Sequence, residues 1–356
     1  MKLNILIISG ALGGVERHTN DIINELSLRD YNIYHIAPKG YSTKRANTKF
    51  LDIPREISLR DIVVFISILK YFFSIKENID IIHGHSSKGG LYARLLYFFS
   101  RAKIYYSPHA FYTMNPLLGK IKRIIIQFTE RILSLLTTKI ILSSIHEETH
   151  AIKKLKIKKS KIIINPNCSY IDADRLINPN LISSQGLVFG FCGRLVNQKN
   201  PIEVLKIAKL LYTKKIKSKF LIMGDGYLKK NLMNYILKDN IENIEFIDHG
   251  DLDIFFNQIN ILLITSLYEG NPYLYQDALI NSIPILTRNV GGSNYYVKNN
   301  KNGYIYNDIN DLCDYILENL STNEELALFS RASFDTSKKY SLNNMINSLD
   351  YIYTMK

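Results

Sequence analysis

Two acids and two cations in the second half of the chain have the types and spacing needed for chemistry on a charged, hydroxyl-rich ligand. Glu269 and Asp277 lie in Ser266-Leu267-Tyr268-Glu269-Gly270-Asn271-Pro272-Tyr273-Leu274-Tyr275-Gln276-Asp277-Ala278-Leu279. Asn271 has the side chain of an N-cap and Pro272 suits a first helical position. Glu269 is therefore expected in the loop that opens a helix, with Asp277 about one and a half turns into it. Carboxylates so spaced can address two parts of one extended polyol, while the helix amides hold negative charge between them. Taken alone, the segment also reads as surface acids beside a helix start.

Arg194 and Lys199 occupy Phe191-Cys192-Gly193-Arg194-Leu195-Val196-Asn197-Gln198-Lys199-Asn200-Pro201, between an expected strand and a helix beginning near Pro201. Cations at the carboxyl end of a strand suit a diphosphate, and Arg can meet two of its oxygens at once. Gly224-Asp225-Gly226 follows another strand and either makes room for a base or ribose or is a plain strand-to-helix turn. Near the start, Ser9-Gly10-Ala11-Leu12-Gly13-Gly14-Val15 brings a Gly-Gly pair to a helix N-terminus, where backbone can approach an anion. A tight turn without function fits it equally. It is not Gly-x-Gly-x-x-Gly, which argues against a nicotinamide oxidoreductase. His83 and His85 end a strand and either line a cleft or fill a core, and His109 stands in Ser107-Pro108-His109-Ala110-Phe111-Tyr112. Asp251-Leu252-Asp253 and Asp172-Ala173-Asp174 both match an Asp-x-Asp metal pattern, and finding it twice shows how little it specifies. Asp253 reads better as a cap before a helix over Ile254–Ile259, and no metal is expected.

Short apolar strands alternate with helical stretches and must position these loops. Strands are expected at Leu3–Ile8, Ile33–Ala37, Ile79–His83, Lys103–Ser107 and Lys139–Ser143, then at Leu187–Cys192, Phe220–Met223, Glu245–Ile247, Ile261–Thr265 and Ile283–Leu286. Helices are expected at Val15–Leu28, Pro201–Leu211 and Leu342–Tyr353. The β-α-β rhythm implies α/β architecture with parallel sheets covered on both faces. It pauses over 177–186, which has the composition of a linker. Two doubly wound Rossmann-like domains facing a central cleft are expected, at 1–178 and 187–340, with 341–356 as a helix packing back on the first. Ligands would sit at the carboxyl ends of the strands.

With 356 residues, 46% hydrophobic and 22% charged, the chain can bury two cores. No run approaches the roughly 20 apolar residues of a membrane span, and the apolar start is too short for a signal peptide. Cys168, Cys192 and Cys313 are few and scattered, which points to a reducing compartment without disulfides or zinc. The net charge of +13 is spread partly over solvated faces. Leu118–Lys139, with Lys120, Lys122, Arg123 and Arg131, has the pattern of a basic helix lying on a surface. Lys153, Lys154, Lys156, Lys158, Lys159 and Lys161 follow it. These favour an anionic membrane surface over nucleic acid, for which there is no motif.

In order and spacing, these segments resemble the retaining glycosyltransferases of family 4, which have the GT-B fold. The resemblance runs through Gly13-Gly14, His109, Gly193-Arg194-Leu195 with Lys199, Gly224-Asp225-Gly226, Glu269 with an acid at 277, and Gly291-Gly292. His83-Gly84-His85-Ser86-Ser87-Lys88-Gly89-Gly90 with Ser107–Tyr112 resembles a subgroup that builds bacterial surface polysaccharides such as capsule and O-antigen. The resemblance implies that Arg194 and Lys199 bind the donor diphosphate and stabilise it as it leaves. Glu269 would hold donor-sugar hydroxyls, helped by the backbone from Gly270 and Asn271 through Pro272 and Tyr273. The acid at 277 would bind the ribose diol, His109 would contact sugar and phosphate, and Gly13 and Gly14 would approach the phosphates. It implies a nucleotide sugar, UDP-linked, as a substrate and no cofactor. The acceptor would be a lipid-diphosphate-linked saccharide or an oligosaccharide, handled by a cytoplasmic protein peripheral on the inner face of the membrane. The family pattern has Glu at the second acidic position, and Asp277 reaches about 1.5 Å less. An epimerase or phosphorylase on the same fold, or an inactive assembly scaffold, are the alternatives.

Overall fold

The computed structural model describes residues 2–43, 47–54, 58–168, 182, 184, 186–247, 250–269 and 272–355. Of the expected linker over 177–186, only 182, 184 and 186 are described. Asp172-Ala173-Asp174, Gly270 and Asn271 also lie outside the described residues. The chain forms two compact units, one of Met1–Asn167 with Leu342–Lys356 and one of Cys168–Ser341.

The first unit is built on a seven-stranded sheet of β1 (Leu3–Ser9), β2 (Tyr31–Pro38), β3 (Thr48–Leu51), β4 (Ile81–His85), β5 (Lys103–Ser107), β6 (Lys139–Leu142) and β7 (Ile162–Ile164). Its order is β3-β2-β1-β4-β5-β6-β7, and every pairing is parallel. Strands covered on both faces need apolar residues at consecutive positions, and Ile5, Leu6, Ile7 and Ile8 are all fully buried. The strand order reverses between β1 and β4. The second unit repeats the plan with β8 (Leu187–Cys192), β9 (Ser218–Met223), β10 (Ile244–Ile247), β11 (Ile261–Ile264), β12 (Ile285–Arg288) and β13 (Gly303–Tyr306) in the order β10-β9-β8-β11-β12-β13. Here the reversal falls between β8 and β11. Each crevice at such a reversal is where a doubly wound sheet accepts a ligand.

Several boundaries differ from expectation. β12 starts at Ile285 because Pro284 has no N–H for the ladder, although its carbonyl accepts from Leu262 N at 2.9 Å. The helix carrying Asp277 is Leu274–Ile280, not one opened by Pro272. Tyr275 N bonds the Pro272 carbonyl at 3.3 Å before Asp277 N takes Tyr273 O at 2.9 Å, so a tighter turn precedes the helix. Asp277 consequently lies in its first turn. The cap at Leu252–Phe256 is Asp251, whose side chain accepts from Asp253 N at 2.7 Å, and not Asp253.

The glycines of the His83–Gly90 segment serve packing. A Cβ on Gly89 would lie 2.2 Å from Ile8 O, and one on Gly90 2.1 Å from the Tyr106 ring. Only bare backbone lets the helix Ser86–Leu95 press onto β1 and β5 this closely. The C-terminal helix Leu342–Thr354 completes the first unit. Tyr353 hydroxyl meets His83 Nδ1 at 2.6 Å, Tyr105 hydroxyl donates to Ile352 O at 3.0 Å, and Asp350 receives Arg29 at 3.0 Å.

Candidate functional site

In the second unit the reversal brings the loops after β8 and β11 together. Thr265, the residue after β11, donates its hydroxyl to the carbonyls of Lys199 and Asn200 at 2.9 and 3.0 Å. Leu267 N bonds Gln198 O at 2.9 Å, and Gln198 Nε2 returns a bond to Tyr268 O at 3.3 Å. The two loops are thus stitched backbone to backbone, and the stitching carries Lys199 Nζ to Glu269 Oε1 in an ion pair. Ser266 Oγ donates to the same oxygen at 2.7 Å. Glu269 is almost wholly buried, so its charge requires these donors. An ammonium has three N–H groups, so the Lys199–Glu269 bond leaves the cation able to donate to an incoming anion. Arg194 is exposed at the mouth, its Nη2 3.2 Å from Gln198 Oε1.

Asp277 faces the same strand end. The Cys192 thiol is pushed up to about 11 by burial, with Lys199 lowering and Asp277 raising it. A cation and a carboxylate therefore both act on the last residue of β8. Gly193 N bonds Met223 O at 3.0 Å and Leu195 N bonds Asp225 O at 2.8 Å. Cβ atoms on Gly224 and Gly226 would fall 2.0 and 2.4 Å from the carbonyls of Gly193 and Leu195. The glycines on either side of the exposed Asp225 are needed for contact between loops. Below, Glu203 binds Arg288 Nε and Nη2 at 2.6–2.9 Å and accepts from Tyr306 hydroxyl at 2.8 Å. This pins the start of the helix Pro201–Thr213 to β12 and β13.

The first unit gathers histidines at its own reversal. His85 Nδ1 lies 3.1 Å from His109 Nε2, and the His18 ring centroid lies 4.7 Å from that of His109. His83 is held between Ser107 Oγ (2.9 Å) and Tyr353. Burial lowers all four: His109 to about 4, His83 to about 3, His18 and His85 well below the ordinary value with further help from neighbouring histidines. They are neutral imidazoles at pH 7, able to donate or accept hydrogen bonds but not to supply positive charge. His85 Nε2 is buried without a hydrogen-bond partner among the described residues. One ring nitrogen from each of His18, His85 and His109 lies within 4.8 Å of the others, so they can converge on one small ligand atom or cation. His109 and Ala110 have φ of 54° and 81°, a region that non-glycine residues adopt only when their surroundings impose it. Buried Glu147 does so, accepting from Ala110 N at 2.5 Å and from Ser143 N and Oγ at 2.7 and 2.8 Å. Gly13, at φ 73°, caps the helix Gly14–Ser27, and added Cβ atoms on Gly13 and Gly14 would meet nothing within 4 Å. That turn is open to a ligand.

Known protein families match this chain over most of its length. The family model described as Glycosyltransferase Family 4 matches residues 12–172, and that described as Glycosyl transferases group 1 matches 172–334. The chain is a glycosyltransferase made of these two family domains. Among its relatives is the UDP-Gal:alpha-D-GlcNAc-diphosphoundecaprenol alpha-1,3-galactosyltransferase of Escherichia coli, 28% identical over 74% of this chain and 70% of that one. The O-antigen biosynthesis glycosyltransferase WbnH, also of Escherichia coli, is 28% identical over 90% of each chain. The sucrose-phosphate synthase of Thermosynechococcus elongatus superposes with a TM-score of 0.82 at 15% identity, over 99% of this chain and 98% of that one. It supports the GT-B fold.

In this glycosyltransferase, Gly193, Arg194, Lys199, Glu269 and Asp277 come together in the second unit. Gly13, Gly14 and His109 lie in the first. Asp225 is at an exposed turn, Pro272 is half-buried, and Tyr273 is buried at the helix start. Sequence reasoning missed Gln198, Thr265 and Ser266, which hold the acid and the cation, and His18 and Glu147, which surround His109. Only Glu147 left a signal, as the fourth residue of Ser144-Ile145-His146-Glu147, where Ser144 Oγ caps Glu147 N at 3.2 Å.

Proposed function

We propose that this glycosyltransferase moves a sugar from a UDP-sugar to a hydroxyl of a lipid-diphosphate-linked saccharide, with retention at the anomeric carbon, during synthesis of a bacterial surface polysaccharide. The observation that carries the reading is Lys199 paired with buried Glu269 at the reversal between β8 and β11. There the remaining N–H groups of Lys199 and the exposed Arg194 meet the diphosphate, while Glu269 and Asp277 take hydroxyls of the sugar and ribose. The names of the relatives, one a UDP-galactose transferase acting on a diphosphoundecaprenol-linked sugar and one an O-antigen enzyme, supply the donor and acceptor classes.

In the step proposed, the acceptor oxygen bonds to the anomeric carbon as the bond from that carbon to the diphosphate breaks. The electron pair goes to the departing phosphate oxygen, which takes the acceptor proton on the same face. Fixed cations at the position where charge develops are worth most in a site with little water. In the first unit, the Gly13-Gly14 turn leaves space for a phosphate at a helix N-terminus, the Gly13 N–H itself being held by Glu16 at 3.2 Å, and His109 offers a neutral imidazole to a hydroxyl or phosphate. The test is an NMR assignment of the product's anomeric configuration, using UDP-sugars and a polyprenyl-diphosphate-linked acceptor with and without chelator. Retention and activity in chelator are expected. An inverted product, or activity abolished by chelator, would contradict the proposal.

A further inference from the structure

We propose that His18, His85 and His109 form a binding site for a divalent transition-metal ion of the zinc class. The sheet brings the three together. β1, β4 and β5 are neighbours. His18 lies in the helix that follows β1, His85 ends β4, and His109 stands two residues past the end of β5. His18 and His85 are buried and His109 is half-buried, which gives an ion a way in. One ring nitrogen of each lies within 4.8 Å of those of the other two, and His85 Nδ1 is 3.1 Å from His109 Nε2. Zinc–imidazole bonds of about 2.0–2.1 Å set tetrahedral ligand nitrogens roughly 3.3 Å apart. The His85–His109 pair already stands near that spacing, and His18 needs a shift of ~1.5 Å at most to join it.

Hydrogen bonding within the cluster does not account for it. A neutral imidazole has one N–H and one lone pair. Whichever ring donates between His85 Nδ1 and His109 Nε2, His85 Nε2 stays buried without a hydrogen-bond partner among the described residues. A buried polar atom in that state calls for a ligand. Beside the rings lies a cavity of about 10 Å³, whose polar lining includes His18, His83, Ser107, His109, Ser143 and Asn165. It has room for a single water. Three protein nitrogens with one water are the coordination of an open zinc site. The donor set decides the class of ion, since imidazole suits Zn²⁺, Ni²⁺ and Cu²⁺ while Mg²⁺ and Ca²⁺ require oxygen. Buried Glu147 supplies none, being engaged with Ala110 N and with Ser143 N and Oγ. A metal on His109 occupies the nitrogen that would meet a hydroxyl or phosphate, so its binding should slow transfer. The site rests on the three side chains alone, whereas the inhibition also rests on the role proposed above for His109.

Titration of the full chain with Co²⁺ and then Zn²⁺, without substrate, tests it. One equivalent of Co²⁺ should give the strong visible absorption of a four-coordinate ion, and Zn²⁺ should displace it. Zn²⁺ should also raise the melting temperature of the wild type. His18→Gln and His85→Gln should each weaken Zn²⁺ binding by more than about tenfold, a loss usual even for residues that only support a ligand. His146→Gln should bind as the wild type does. That exposed residue precedes His150 by one helical turn on Ile145–Lys153, and the two form the competing pair. Wild-type protein that binds no Co²⁺, or gives only the weak spectrum of a six-coordinate ion, would overturn the proposal whether or not the histidine variants fold. So would a folded His18→Gln of unchanged affinity, or binding lost in His146→Gln. Zn²⁺ that binds at the three histidines without slowing transfer would uphold the site and overturn the role given to His109.

Discussion

Ser266 and Lys199 share one oxygen of Glu269, and the acid depends on both. A buried carboxylate that loses a donor bears the desolvation penalty of that group, about 1–3 kcal/mol. Ser266→Ala is therefore expected to lower transfer about tenfold without reshaping the fold, read as kcat/KM for the donor. Asp277→Glu should bind donor as well as the wild type or better, because the longer side chain restores the family's reach from the helix's first turn. Isothermal titration with UDP checks this. The histidines make a different prediction. His83, His109 and His35 are neutral in the fold down to about pH 3–4, whereas in the unfolded chain they protonate near pH 6.5. Above pH 6.5 both states are neutral and they contribute nothing to the pH dependence. Below it the unfolded chain binds more protons, so stability falls as pH drops from about 6.5 toward 4. Melting temperature should decline over that window, and His35→Gln should flatten the decline. A melting temperature that held constant from pH 7 to 5 would contradict the assignment of neutral buried imidazoles.

At the scale of elements, the site depends on turns that carry no chemistry themselves. Gly224 lies where a methyl would overlap the Gly193 carbonyl, so Gly224→Ala must push apart the loop that delivers Arg194 and Lys199. A loss of 1–3 kcal/mol by overpacking is expected, read by denaturant unfolding, together with weakened nucleotide binding. Glu147→Gln keeps the volume but cannot accept from all three donors, so the His109-Ala110 loop should relax and kcat should fall. These positions show where the sequence was hard to read. A Gly-Asp-Gly turn is visible, but the reason for its glycines lies in a loop some thirty residues earlier. Likewise Ser144-x-x-Glu147 announces a local cap, and nothing local announces its reach to Ala110. Gln198 and Thr265 act across some seventy residues and leave no pattern, and Ser266 acts on Glu269 within its own loop.

For the whole molecule, the central strands of both sheets were legible because burial on two faces demands unbroken apolar runs, as in Leu187–Cys192 and Ile261–Ile264. The short β3, β7 and β13 were not. They are only partly buried, and their residues need satisfy no pattern. The order of strands was beyond periodicity, yet the two reversals are what bring Lys199 to Glu269 and His18 to His85. Arg194, Lys199, Glu269 and Asp277 could be read together only because their order along the chain resembled a family. The proposed role of Glu269 in holding the donor sugar is tested by parallel assays of wild type and Glu269→Ala. UDP release from a UDP-sugar would be followed with a polyprenyl-diphosphate-linked acceptor, at matched melting temperatures. Acceptor-dependent release is expected of the wild type, with a loss of about 10²–10³-fold or more in the variant. Equal turnover by Glu269→Ala would contradict it.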